Sequence, residues 1–315
     1  MPRAYEQGYD KGPLRINTLV DPVIEGGIDW TGGNVVYVPA GSSIATAITN
    51  AVSGDTIQLG AGTYAITSTL TVDKKLHIKG MGRGITTIAS ASDIHMLLAT
   101  TQGGSLFSDL TLNFSAAMNI SRYILSGTVA FDCRNVSIIS TATGSSTTFS
   151  IGFYQRGAAI TNLYDCSFEA TGATGCNLGY YSSVSGSILN AFNCYGSSSG
   201  DTSGTYGGWV AGTNNTNATM RLYGGSFYST VNQATGAVWT ITGTLSVYNS
   251  TVNGSGATAF DVKRDAGTLT LYNTTLVNNK TSGTITYGGT VASSQINIGG
   301  TALNKTQLDA LLELL

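Results

Sequence analysis

The chain has 315 residues, a formal net charge of −2, 42% apolar residues and only 10% charged ones. That is too apolar for a disordered chain and too weakly charged to draw nucleic acid or an anionic membrane to it. Glycine numbers 41 and proline 4, and Ser, Thr and Asn recur throughout, so the expected surface is built of hydroxyls and amides. Cys133, Cys166, Cys176 and Cys194 are expected to be reduced and buried as small apolar side chains, with a disulfide between two of them as the alternative.

Met1-Pro2-Arg3-Ala4-Tyr5-Glu6-Gln7-Gly8 has no apolar core, so no signal peptide is expected, and no run reaches the ~18 apolar residues of a membrane helix. Residues 1–33 lack periodicity and hold Pro2, Pro13 and Pro22. They read as an extended docking arm, with Tyr5, Tyr9, Arg15 and Trp30 as candidate assembly contacts. A helix follows. Ser42 or Ser43 can cap its start, Ile44, Ala47, Ile48, Ala51 and Val52 share one face, and Gly54 suits a left-handed stop.

Next come Asp55-Thr56-Ile57-Gln58-Leu59-Gly60-Ala61-Gly62-Thr63-Tyr64, then Leu76-His77-Ile78-Lys79-Gly80-Met81-Gly82 and Thr86-Thr87-Ile88. Over about residues 42 to 90 this resembles the opening of pectin-lyase-like β-helix proteins. The resemblance implies a helix plugging the first coil, then a strand, a Gly-Thr-Tyr turn and a Gly-x-Gly corner. His77 alternates outward between Leu76 and Ile78. Gly80-Met81-Gly82 starts no helix and is not a nucleotide loop.

The body, residues 34–302, repeats. Asp109, Asn135, Asp165, Asn193, Gly224, Asn249 and Asn273 each precede an alternating strand, at spacings of 26, 30, 28, 31, 25 and 24 residues, and Asn297 continues the series. Asn, Asp and Gly tolerate the left-handed conformation of a sharp corner, and stacked amides can hydrogen-bond along a column. One such coil would be Ala259-Phe260-Asp261-Val262, Leu269-Thr270-Leu271 and Thr275-Leu276-Val277. The expected fold is therefore all-β, a single-stranded right-handed parallel β-helix of roughly ten coils and about 50 Å. Residues 303–315 close the chain as a helix. Thr306 and Asp309 resemble a capping box, and Leu308, Leu311, Leu312 and Leu315 form one face, as a plug over the last coil or a trimerisation surface. This Leu-rich end also resembles those of phage β-helix and fibre proteins.

Polysaccharide hydrolases need paired carboxylates. Asp261, Lys263 and Asp265 alternate onto one expected outward face, as an acid pair with a base or as an ordinary solvated strand. Asp165 with Glu169, facing Asp132, is a second candidate, although Asp165 already has a corner role. No Cys/His cluster has metal-ligand spacing, no cofactor is implied, and no lyase or polygalacturonase signature is visible. Tyr154, Tyr180, Tyr181, Tyr206, Trp209, Tyr223, Tyr228 and Trp239 are open to three roles: core, subunit interface or glycan contact.

Taken with the resemblance to phage β-helix proteins, these features lead to the expectation of a bacteriophage virion protein that is not an enzyme. It would be a homotrimeric head-decoration protein on the virion surface, gripping the major capsid protein through its arm. The alternative is a tailspike that binds or cleaves host polysaccharide, and a polysaccharide lyase is the third reading. Neither nucleic acid nor membrane is an expected partner.

Overall fold

The structure, a computed structural model, describes residues 33–141, 143, 149–171, 176–199, 209–230, 236–255, 259–288, 295–298 and 301–304. All belong to the unit Gly32–Leu315. The strands stack into three parallel ladders. The first runs from Val35–Val38 and Thr56–Leu59 to Thr268–Tyr272 and Thr286–Gly288. The second runs from Gly62–Ala65 to Thr251–Gly254 and Thr275–Leu276. The third runs from Leu70–Val72 to Phe260–Arg264 and Thr281–Ser282. This is the expected right-handed parallel β-helix.

On the first two ladders every other side chain points inward, so each feeds columns of stacked apolar residues. In the first ladder one column is Ile57, Ile78, Phe107, Cys133, Leu163, Ala191, Leu222, Val247 and Leu271, and none of these has any exposed surface. Each large member contributes about 1.5–3 kcal/mol through burial. Cys133, Cys166 and Cys194 are free and buried, as expected of small apolar residues, and burial pushes the thiols of Cys133 and Cys166 up.

The corner between the first and second ladders sets the winding. Asp109, Asn135, Asp165, Asn193, Asn249 and Asn273 have φ between 48° and 56°, and Gly224 has φ 69°. All seven corner residues are thus left-handed, as their types require. The amides stack where neighbours permit. Asn135 Nδ2 donates to Asp109 Oδ1 at 2.8 Å, Asn193 Nδ2 to Asp165 Oδ1 at 2.6 Å and Asn273 Nδ2 to Asn249 Oδ1 at 3.2 Å. These seven corners mark seven regular coils, and two coils starting at Thr56 and His77 precede them, the first of them shorter. The spacing had left room for roughly ten. Asn297 does not continue the series, because Gln295–Ile298 pairs antiparallel with Thr301–Asn304. Leu303 and Asn304 are therefore strand, and the rest of the expected terminal helix, including Leu308, Leu311, Leu312 and Leu315, lies outside the described residues. So do Tyr5, Tyr9, Arg15 and Trp30 of the expected arm.

The plugging helix is Ile44–Asn50. Ser43 caps it, its side chain accepting from the Thr46 N–H at 3.1 Å. Ile44, Ile48 and Ala51 are buried against the core, but Val52 lies beyond the helix and is 60% exposed. The helix ends at Ala51 rather than at Gly54. Lys74 makes that early stop possible, since its Nζ donates to the carbonyls of Ile48, Thr49 and Ala51 at 3.0, 2.7 and 2.8 Å, where cations favour a helix end. The buried Asp55 ties the junction by accepting from the N–H groups of Asn34 and Val52 at 2.9 and 2.8 Å. The expected Gly-Thr-Tyr turn is instead the strand Gly62–Ala65. Its Tyr64 is buried and donates its hydroxyl to the Val38 carbonyl at 2.6 Å.

Candidate functional site

Outward positions on a solvated sheet face are ordinarily polar. On the third ladder they are not. Tyr123, Ile151 and Leu178 fall in one outward column, and Tyr154, Tyr181, Gly212, Trp239 and Lys263 in another. Ile151, Tyr154, Leu178 and Trp239 are buried in an apolar cluster separate from the main core, with Tyr123, Phe149, Tyr181 and Ile241 partly buried against it. Tyr123 meets Tyr154 edge-on at 5.0 Å between ring centroids, and Tyr154 lies 5.0 Å from Tyr181. Such ring pairs add about 0.5–1.5 kcal/mol beyond area burial. Tyr154 and Ser183 share a hydrogen bond of 2.6 Å between their hydroxyls.

Each end of this seam carries cations. At one end Arg156 lies 4.5 Å from the Tyr123 ring centroid, and Arg122 Nε holds Asp93 at 2.6 Å. The bond from Arg122 is the main reason the Asp93 carboxyl falls to about 2. His95 stacks on Tyr123 at 4.3 Å, and its Nδ1 accepts from the Tyr123 N–H at 3.1 Å, which leaves the proton of the neutral ring on Nε2. Burial, then Arg122 and Arg156, lower His95 to about 4. At the other end Lys263 Nζ lies 4.2 Å from the Trp239 ring centroid and 3.5 Å from Asp265. Trp239 Nε1 donates to Asp265 at 3.0 Å.

Of the expected trio Asp261, Lys263 and Asp265, the structure joins only the last two. Asp261 faces the interior and is fully buried. It accepts from the N–H groups of Gly254, Asn278 and Lys280 at 2.7, 2.8 and 3.4 Å, and from Asn278 Nδ2 at 3.2 Å. Strict alternation fails here because third-ladder strands turn two successive residues inward. Ile124 with Leu125, Val210 with Ala211, and Ala237 with Val238 do so in the main core, and Asp261 with Val262 follow them.

Asp132, Asp165 and Glu169 form no shared carboxylate site. Asp132 accepts from Asn162 Nδ2 at 2.9 Å on the first ladder, Asp165 is a corner residue, and Glu169 is exposed on the second ladder. His77 does face outward, with Nε2 2.9 Å from Ser108 Oγ. Burial, then Lys79, lower it to about 4.

The aromatics divide among roles. Tyr180 is core, stacked on Phe153 at 5.3 Å. Tyr154, Tyr181 and Trp239 build the seam, while Tyr223 and Tyr228 lie on other outer faces. Tyr206 and the Trp209 side chain lie outside the described residues. Sequence reasoning missed Tyr123, Arg122, Arg156, Asp93 and His95, which loops of unequal length bring to one face. The recurrence of aromatics at the end of successive third-ladder strands was the available signal.

Tyr154 and Trp239 are buried, so the ring surface left partly open is that of Tyr123 and Tyr181, with cations at both ends and a Tyr123 hydroxyl that has no hydrogen-bond partner among the described residues. The arrangement suits a ligand with an apolar face and polar edges. Among the described residues no group of acids, cysteines and histidines could hold a metal, and no helix is long and apolar enough to cross a membrane.

No family model and no characterised protein sequence matches the chain. Solved structures do. A PL6 family alginate lyase, AlyGC, is similar over 82% of this chain and 39% of its own, with 12% identity and a TM-score of 0.49. The A-module of the mannuronan C-5 epimerase AlgE6 of Azotobacter vinelandii is similar over 83% of this chain and 79% of its own, with 13% identity and a TM-score of 0.41. The catalytic domain of a GH87 α-1,3-glucanase is similar over 85% and 68%, with 12% identity and a TM-score of 0.26. The chain spans 39% of the length of the lyase. The expectation that the chain is not an enzyme is corrected by these matches. The solved proteins it is similar to are named as a lyase, an epimerase and a glucanase. The architecture rests on the chain's own three ladders: the chain is a parallel β-helix.

Proposed function

We propose that the chain is a polysaccharide-binding β-helix whose ligand lies along the outer face of the third ladder. The observation that carries this reading is the seam itself. Tyr123, Tyr154, Tyr181 and Trp239 stand where a solvated sheet would place polar residues, and Arg156 and Lys263 lie over the two end rings. Ring surface matches the apolar face of a sugar, and the cations match its hydroxyls or carboxylates. The test is equilibrium binding of the full chain to alginate, a polyuronate, and to a neutral glucan. Arg156→Ala and Lys263→Ala are each expected to weaken retention by about tenfold, the worth of one charge-assisted hydrogen bond. Retention of both variants equal to that of wild type would sink the reading.

One observation favours cleavage at the same place. The unpartnered Tyr123 hydroxyl sits on a ring flanked by Arg156 and His95, a setting for proton transfer beside a carboxylate held by arginine. Unsaturated ends that accumulate with wild type but not with Tyr123→Phe support it; a polymer of unchanged length limits the seam to binding.

We place the protein on a phage particle as a homotrimeric receptor-binding rod of the tailspike kind, in preference to a head-decoration protein on the major capsid protein. The low charge, the hydroxyl-rich surface and the seam support this choice. Imaging of the source particles should find three-fold projections at the tail. Density on the head would restore the decoration role, and density on neither would end the virion reading.

A further inference from the structure

The outer face of the first ladder carries a second aromatic array. Tyr164, Phe192, Tyr223, Tyr248 and Tyr272 occupy one outward column. Their centroids are 5.0, 4.8, 4.8 and 4.4 Å apart, with planes within 11° of parallel. Arg134 closes one end, 5.0 Å from the Tyr164 centroid. At the other end Tyr272 pairs with Gly288, which has no side chain to cover the last ring.

Parallel stacking along the rod turns the ring faces toward one another and the ring edges outward. The four phenol hydroxyls have no hydrogen-bond partner among the described residues. Two residues earlier on each strand runs a polar column. Asn162 donates to Asp132 at 2.9 Å, Asn190 to Asn162 at 3.0 Å and Arg221 to Asn190 at 3.3 Å.

We infer that this face is a second binding track, for a neutral hydroxyl-rich glycan laid parallel to the rod axis. The apolar ring faces are already covered by one another, so a protein partner would find little to bury. Arg134 stands two residues from the one acid, Asp132, while Arg221 lies three rungs on and bonds Asn190; the stretch from Ser246 to Tyr272 in these columns has no charge, so a polyanion would meet cations along one part of the track alone. What remains unmet is hydrogen bonding, repeated at the ~4.8 Å spacing of strands. A regular polyol supplies donors and acceptors in such a row. The inference takes only the ligand class from the seam reading. The seam, with a cation at each end, suits an acidic glycan, whereas this track suits a neutral one.

The experiment is affinity electrophoresis of the full chain in native gels cast with hydroxyethylcellulose, dextran or alginate. The triple variant Tyr223→Phe, Tyr248→Phe, Tyr272→Phe keeps every ring and should keep the melting temperature. Wild type should be retarded in a neutral gel, and the triple variant should lose about tenfold or more of that retardation constant, as expected for three lost hydrogen bonds. Arg156→Ala should act in the alginate gel alone. A triple variant retarded as strongly as wild type, or a wild type that neither neutral polymer retards, overturns the track and leaves the seam reading untouched. Loss of the Arg156→Ala effect alone overturns the seam and leaves the track standing.

Discussion

Gly225→Ala is expected to destabilise the protein by about 4 kcal/mol or more, measured by chemical denaturation. Gly225 sits at φ 96°, where an L side chain costs about 1–2 kcal/mol by itself. A Cβ there would lie 1.9 Å from the carbonyl oxygen of Cys194 in the coil below. That coil cannot retreat, because Cys194 and Gly225 pair in the ladder, and separation breaks hydrogen bonds on both sides. The neighbouring Gly224 makes the opposite case. It has φ 69°, and a Cβ would meet nothing nearer than 3.9 Å. Asn or Asp holds this corner in the six other regular coils. Gly224→Asn is therefore expected to add about 0.5–1 kcal/mol by narrowing the unfolded ensemble, and it would place an amide between Asn193 and Asn249. A Gly224→Asn protein less stable than wild type would mean that this corner differs from the others.

Asp261→Ala is expected to cost about 3–5 kcal/mol, because it leaves the N–H groups of Gly254, Asn278 and Lys280 buried without their acceptor. Glycan retention should not change, since Asp261 faces away from the seam. An active-site acid would give the reverse pattern, with stability kept and activity lost. The pH dependence has a definite sign. Burial outweighs the hydrogen bonds and holds the carboxyl above the ordinary aspartate value of 3.8. The folded chain thus binds this proton more tightly than the unfolded one. The Asp261 contribution is most favourable below 3.8 and falls as pH rises through the folded value. The stability gap between wild type and Asp261→Ala should shrink over that window, and a gap that widens there would contradict the assignment.

These two sites also show what the sequence could reveal. The corners were legible because few residue types tolerate a left-handed conformation, so Asn135, Asn193 and Asn273 announce their own backbone. The first-ladder core was legible because its strands alternate regularly. Asp261 was misplaced because alternation assumes an even pleat, and third-ladder strands turn two consecutive residues inward. Val52 was assigned to the helix by spacing and Gly54 as its left-handed stop; Gly54 is left-handed, with φ 102°, but Lys74, more than twenty residues away, ends the helix at Ala51. The seam was illegible for a related reason. Tyr123, Tyr154, Tyr181 and Trp239 come from different coils, separated by loops of unequal length, and only the ladder register brings them to one face. Arg156 and His95 carry no local motif, so the chemistry they support could not be excluded from missing signatures.

The most direct test of the central claim is a crystal structure of the protein with oligosaccharides cut from the polymer that it retains best. The account predicts sugar rings along the outer face of the third ladder, against Tyr123 and Tyr181 and within hydrogen-bond reach of Arg156 or Lys263. Sugar density confined to the second ladder or to the ends of the rod, with the seam bare, would contradict it.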